Sequence, residues 1–444
     1  MNTPRYPRSD AGRPNRRQFL QRLAFGGMAA GALPHLSRWI GPPAAWAADA
    51  AGGDASVLVI LQLAGGNDGL NTLIPIGNDH YSRARPQLGI HAQPETMLNP
   101  EFMLHPSLIG FKQMYDRGWL SAIHAVGYPR PNRSHFRSME IWQTASDSDR
   151  VEKYGWIGRC FDQAWANAGA AIGIALTGQS PQSFASRGGQ GMVTRDPDAF
   201  RAPDGMTSDT NPESANHSAE EDDETDPSAN TGGSIGGLGG QASGMKPSLD
   251  RLRRIEQEAV HYSRQMQRIL AGARNAAPYP SSRLARDFST VGRLISGRMP
   301  TRMYYLSHGG YDTHVGQAAA QARRLRELGD ALLAFMNDMD ASGQRARVAV
   351  MVFSEFGRRI RENASGGTDH GAAGPVFVCG GGIPPGLHGT FPSLAPEDSP
   401  QGDVPHTCDF RSIYATLLRG HLRVNPIAVL GREFPPLPTS SVPA

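Results

Sequence analysis

The sequence predicts a single α/β domain with a mainly parallel central sheet flanked by helices in three layers. Three observations carry this expectation. Short apolar runs alternate with helical spacings along most of the chain, the rhythm of strands joined by crossover helices. The clearest runs are continuously apolar, as strands buried on both faces are. Each of them ends in a polar, glycine- or proline-punctuated loop, where doubly wound sheets carry their reactive groups. With 444 residues, 39% of them hydrophobic, the chain can fill one large core.

The first 47 residues read as a leader. A basic stretch holds the pair Arg16-Arg17 followed by Gln18-Phe19-Leu20, and a Gly/Ala-rich, weakly apolar run follows to about Leu33. That is the twin-arginine export pattern, and Ala45-Trp46-Ala47 offers a small-x-small cleavage site. The apolar run is too short and too rich in glycine for a transmembrane helix, so the mature chain from residue 48 is expected to lack one. Removing residues 1–47 takes away seven arginines and one acid, which moves the formal charge from +3 to −3. The basic balance therefore belongs to the leader, and nucleic-acid binding finds no support. The pattern implies the twin-arginine export machinery as a partner and a periplasmic or secreted location.

Within the mature chain, "VLVILQL" at 57–63 is the first buried strand, and it turns into "AGGNDGLN". A second run, "LSAIHAVGY" at 120–128, enters the loop "PRPNRSHF", after which "MEIWQTA" starts a helix. The weaker run at 171–178 adds a further strand. At about 202–246 the composition changes to acids, then Gly and Ser, with few aliphatic residues. Such a stretch cannot bury enough apolar surface to offset its ordering entropy, so it is expected to be a disordered insertion in one domain spanning 48–444.

Helical spacing resumes with Leu249, Leu252, Ile255, Ala259, Met266 and Ile269. "TRMYYLSHGGYDTH" gives strand and loop, and Leu325, Leu328, Leu332 and Phe335 mark one face of a long helix. "RVAVMVFSEFGR" and "GPVFVCGGGI" are two more buried strands. A last helix in "TCDFRSIYATLLRGHL" is capped by Thr407 or Asp409. Cys160, Cys379 and Cys408 allow one disulfide at most and form no zinc-knuckle spacing.

Four loops after strands gather polar groups: Asn67-Asp68; Asn132-Arg133-Ser134-His135; Asp312-Thr313-His314; and Ser354-Glu355 with Asp369-His370. Carboxylates and imidazoles converging at one edge suit a divalent metal ion, and a hydroxyl at a helix start suits a nucleophile or an anion. Plainer roles fit the same residues. Asp68 suits a turn, Ser134 a helix cap, and Glu355 an ion pair with Arg358 or Arg359. His105, His308 and His406 stand alone and read as structural histidines.

"LVILQLAGGNDGLNTLIP", "HPSL", "VGYPRPNRSHFRSMEIWQTA", "GWIGR", "GGYDTH", "VFSEFGRRIRENASGGTDHG" and "DFRSIYATLL" together resemble the exported bacterial domain of unknown function 1501 family. The resemblance covers nearly all of the mature chain except the acidic insertion. That family is grouped with the alkaline phosphatase-like superfamily of phosphatases, sulfatases and phosphomutases, which implies an alkaline phosphatase-like version of the domain expected above.

By the superfamily's motif order, the resemblance implies Ser134 as nucleophile and Asp68, Asp312, His314, Glu355 and His370 as metal ligands or acids close behind them. Arg133 would then stabilise the developing anion. Two details depart from the pattern. Asp312 and His314 stand two residues apart where the superfamily has four, and Phe356 occupies the place of a histidine ligand. Phenylalanine cannot coordinate an ion, so the second metal position lacks a ligand. The resemblance thus implies a metal-dependent hydrolase of phosphate or sulfate esters, the metal's identity being open. Its rival is an exported, non-catalytic protein that uses the same fold to bind a carbohydrate or a co-exported partner.

Overall fold

The computed structural model describes residues 55–189, 191–195 and 245–437. The expected leader lies outside them, as does the expected insertion except for its last two residues, which begin a helix. In chain order the strands are β1 (Val57–Ala64), β2 (Leu73–Pro75), β3 (Phe102–Leu104), β4 (Leu120–Gly127), β5 (Gly173–Ala175), β6 (Met192–Val193) and β7 (Met303–Gly309). They continue with β8 (Val348–Ser354), β9 (Arg358–Glu362), β10 (Thr368–His370), β11 (Gly374–Gly380), β12 (Gly386–His388) and β13 (Cys408–Asp409). The helices are α1 (Asp79–Ala84), α2 (Ile109–Asp116), α3 (His135–Thr144), α4 (Trp156–Ala164) and α5 (Met245–Gly272), then α6 (Arg283–Ser296), α7 (Gln317–Ala341), α8 (Phe410–Thr416) and α9 (Pro426–Leu430).

One sheet organises the molecule, in the order β12-β4-β11-β8-β1-β7-β5-β6, with β13 also on β4. β1 runs parallel to both β7 and β8, and β12 and β13 run parallel to β4. β11 alone is antiparallel, to β8 on one side and β4 on the other. An apolar run such as "VFVC" reads the same in either direction, so this reversal has no signal in the sequence.

Alternation along β1 builds the three layers. Val57, Val59, Leu61 and Leu63 point into a core shared with Phe111 of α2, Phe288 of α6 and Phe335 of α7. Leu58 and Ile60 point into the opposite core, with Trp142 of α3, Phe161 of α4 and Tyr414 of α8. Helices on both faces explain why β1 reads as an unbroken apolar run, since each fully buried side chain of this size contributes about 1.5–3 kcal/mol. Cys160, Cys379 and Cys408 lie in these cores as free, buried thiols, and no disulfide pairs them.

Three local findings sharpen the expectations. α3 starts at His135, four residues before the helix suggested by "MEIWQTA". α8 is capped by Asp409, which accepts from the Arg411 amide at 2.9 Å, while the Thr407 hydroxyl donates to the Thr390 carbonyl at 2.6 Å. The stretch after β8 forms the hairpin β9–β10 off the main sheet. The buried positions of β9 are Arg358 and Ile360, so the alternation carries a single apolar residue there. No helix of the described residues is long and apolar enough to cross a membrane.

Candidate metal centre

β1, β4, β7 and β8 point the same way, so the loops that follow them open at one edge of the sheet. The loop after β1 approaches the loop after β8 closely. Gly66 has φ +72°, and a Cβ there would lie 2.2 Å from the Phe356 ring. Glycine is required at this point by space and by backbone conformation together.

Asp312 is the meeting point of the other loops. His314 Nε2 lies 3.0 Å and His370 Nε2 3.2 Å from its Oδ1, and His135 Nε2 lies 3.6 Å from its Oδ2. The Nε2 atoms of His314 and His370 are 2.9 Å apart. Among the described residues His135, Asp312 and His370 form a group whose donor atoms all lie within 4.8 Å of one another, close enough to hold one metal ion.

A second layer fixes the rings. Glu355, fully buried, faces His135 Nδ1 at 2.9 Å. The Arg133 carbonyl faces His370 Nδ1 at 2.9 Å. A carbonyl oxygen or a carboxylate can only accept, so in the neutral rings Nδ1 carries the proton and Nε2 presents its lone pair to the centre. Asp312 is also an acceptor. Lone pairs thus face one another across the centre unless a cation or a proton stands between them.

Arg358 holds the loops around this point. Its fully buried guanidinium donates to Asp312 Oδ1 at 2.8 Å, to the Tyr311 carbonyl at 3.0 Å and to the Thr368 carbonyl at 2.7 Å, and its Nε donates to the Gly66 carbonyl at 2.6 Å. Phe356 lies beneath, its ring centroid 4.8 Å from that of His135 and 4.7 Å from that of His370.

Titration follows from these contacts. The hydrogen bond to Glu355 raises the pKa of His135, against an opposing contribution from burial. Burial works against ionisation of Asp312, but the hydrogen bond from Arg358, joined by that from His370 in its protonated form, outweighs it and brings the carboxyl down to about 2. Burial lowers His370.

The residues singled out from sequence are distributed over distinct places. Asp312, His314 and His370 come together. Glu355 stands behind His135 and pairs with neither Arg358 nor Arg359. Its other contacts are the Gly65 amide at 2.8 Å and the Ser354 hydroxyl at 3.2 Å. Asp68 lies outside the group. Arg85 binds both of its oxygens, at 2.6 and 3.0 Å, and the Gln317 amide donates to it as well. Ser134 occupies the N-cap position of α3, exposed, and its hydroxyl makes no hydrogen bond with the described residues. Arg133 is committed to Asp403.

His135 is the residue not singled out from sequence. The signal was its position, directly after a hydroxyl at a helix start beyond a strand end. His308 and His105 hold loops as expected: His308 binds Tyr311 at 3.0 Å and Glu327 at 3.1 Å, and His105 accepts from the Ser107 amide at 3.0 Å.

Fold and site define a class: an α/β protein with a histidine–aspartate group at the carboxyl edge of a mainly parallel sheet. The chain belongs to the family described as protein of unknown function (DUF1501), which matches residues 55–422. No curated protein matches it. Among solved structures it is similar to a protein in the alkaline phosphatase superfamily from Vibrio parahaemolyticus, at 12% identity and TM-score 0.32 over 85% of this chain and 71% of that one. The C-terminal periplasmic domain of EcEptC from Escherichia coli in complex with Zn follows at 9% and 0.31, over 74% and 73%. Ps i-CgsB in complex with k-i-k-neocarrahexaose follows at 9% and 0.33, over 86% and 73%. At such TM-scores these likenesses carry no argument about activity.

Proposed function

We propose that this protein is an exported hydrolase of phosphate or sulfate esters that works with a single divalent metal ion. One observation carries the reading. Acceptor atoms of His135, His370 and Asp312 face one another at a loop-rich sheet edge, with their outer nitrogens tied back to Glu355 and a backbone carbonyl. Mixed imidazole and carboxylate donors of this kind suit a zinc-like ion.

In this reading His135, Asp312 and His370 hold the ion, and His314 is the fourth donor. When bound, the ion supplies Lewis-acid polarisation of a phosphoryl or sulfuryl oxygen. The chain's own residues do the rest. Arg358 orients Asp312 and keeps it ionised. Ser134, exposed at the start of α3 with its hydroxyl unengaged, is the candidate nucleophile. Arg133, held by Asp403, keeps a fixed positive charge beside it. Asp68 acts at a distance, by fixing the loop after β1 through Arg85 and Gln317. The twin-arginine pattern supports export to the periplasm.

Elemental analysis of natively exported protein, with aryl phosphate and aryl sulfate turnover by the wild type and Ser134→Ala, tests this. About one divalent ion per chain and loss of turnover in the variant are expected. No stoichiometric metal, together with turnover unchanged in Ser134→Ala, would sink the proposal.

One observation favours a second reading. Phe356 stands where the superfamily pattern has a histidine ligand and packs on His135 and His370, which speaks against a two-ion site of the superfamily type. A protein that binds an anionic carbohydrate without turning it over would retain the ion and show binding alone.

A further inference from the structure

The buried face of α7 opens with two glutamines. Gln317, Gln321, Leu325 and Leu328 recur at helical spacing and all are buried. The leucines enter the core beneath the sheet, whereas Gln317, with no exposed surface, lies among polar groups. A buried amide costs stability unless its atoms are bound, so its partners account for its place.

The Gln317 Nε2 donates to Asp68 and, at 3.3 Å, to Gln321 Oε1. Its Oε1 accepts from the Thr313 hydroxyl at 3.1 Å and from the Thr368 hydroxyl at 2.6 Å. The Asp68 carboxylate can only accept, so it fixes which end of the amide faces the threonines and leaves both hydroxyls as donors.

These threonines sit on the two segments that carry the centre. Thr313 stands between Asp312 and His314, and Thr368 precedes His370 by two residues on β10. The same segments meet through the backbone, where the Thr368 amide donates to the Thr313 carbonyl at 3.3 Å and the Gln317 amide to the Gly366 carbonyl at 2.8 Å. Asp68 in turn is held by Arg85, which also binds the Arg359 and Ile360 carbonyls of β9 at 3.0 and 2.9 Å.

We infer that Gln317 is a positioning residue of the metal centre: through Thr313 and Thr368 its amide oxygen sets the spacing between the Asp312–His314 loop and the strand that bears His370. This rests on the one-ion reading above and adds no ligand to it. Groups behind the ligands tune a metal site by holding the donor atoms at the distances the ion requires.

The test uses cobalt(II) as the probe, which suits mixed nitrogen and oxygen donors. Chelator competition reads its affinity, visible absorption reads its coordination, and urea midpoints of metal-free protein read stability. Tyr81 provides the control, because its hydroxyl donates to Asn71 at 2.9 Å and accepts from the Ile90 amide at 3.0 Å within the same buried network. Thr368→Val is expected to weaken cobalt binding about tenfold and to alter the spectrum, and Thr368→Ser to keep both at the wild-type level. Tyr81→Phe should lower the urea midpoint and leave cobalt affinity and spectrum unchanged. Gln317→Met should weaken cobalt binding by about tenfold to a hundredfold, and adding Thr368→Val to it should cause no further loss. Unchanged affinity in Thr368→Val, an equal loss in Tyr81→Phe, or a full further loss in the double variant overturns the inference. Should Gln317→Met fail to fold, the Thr368 variants and the control decide it. A wild type that binds no cobalt brings down the one-ion reading, and the inference with it.

Discussion

Glu355 Oε1 lies 2.9 Å from Nδ1 of His135, across 220 positions of sequence. The carboxylate is fully buried and the imidazole is partly open, so the pair works in one direction: it aims Nε2 outward, toward Asp312. A buried carboxylate behind a histidine raises the ring's basicity and fixes its orientation, which is what a metal ligand requires.

Replacing Glu355 should therefore weaken metal binding without removing a ligand. Glu355→Gln is expected to lower affinity about tenfold and Glu355→Ala nearer a hundredfold. Competition with a chromophoric chelator reads the change, and circular dichroism checks that the fold persists. Unchanged affinity in both variants would remove Glu355 from the site.

Acidification should release the metal, because an imidazolium cannot ligate. Glu355 raises His135 above the ordinary histidine value of 6.5, so metal affinity is expected to start falling already above that pH. In chelated protein the two charges act on stability in opposite senses. The folded pKa of His135 is raised, so its contribution is fully present below 6.5 and is lost as pH rises through the raised value. Asp312 is depressed from 3.8 to about 2, so its contribution is present above 3.8 and is lost as pH falls through about 2. Denaturant midpoints measured across pH on chelated wild type and His135→Asn check this. The variant should lose the alkaline decline and keep the acid one.

Asp68 and Arg85 form an ion pair with both side chains fully buried. Asp68→Ala leaves the guanidinium buried without its charge partner and is expected to cost about 3–5 kcal/mol. Urea unfolding of chelated protein measures it. Metal stoichiometry in the surviving folded fraction should stay at the wild-type level, and its loss would return Asp68 to the ligand set.

Gly66→Ala places a methyl group against the Phe356 ring at a backbone angle that disfavours side chains. Overpacking of this kind costs about 1–3 kcal/mol. Since Phe356 supports both His135 and His370, metal affinity is expected to fall with stability. Unfolding curves with and without metal separate the two losses.

Much of the fold was legible because burial on both sheet faces leaves continuous apolar runs at β1, β4, β8 and β11. The hairpin β9–β10 was not, since one of the two buried residues of β9 is an arginine satisfied by carbonyls and by Asp312. The candidate site was legible as a set of polar loops at one sheet edge. Its membership was not. Asp68 and Asp312 are the same residue type in similar glycine-flanked loops, yet Arg85 claims the first and three histidines surround the second.

The sequence by itself determined where strands end and which chemistry gathers beyond them, because hydrophobic runs and turn residues act locally. Only the tertiary structure decided that Glu355 serves His135 and that Phe356 packs on His135 and His370. Those outcomes depend on directions and distances between segments far apart in the chain, and neither composition nor spacing encodes them.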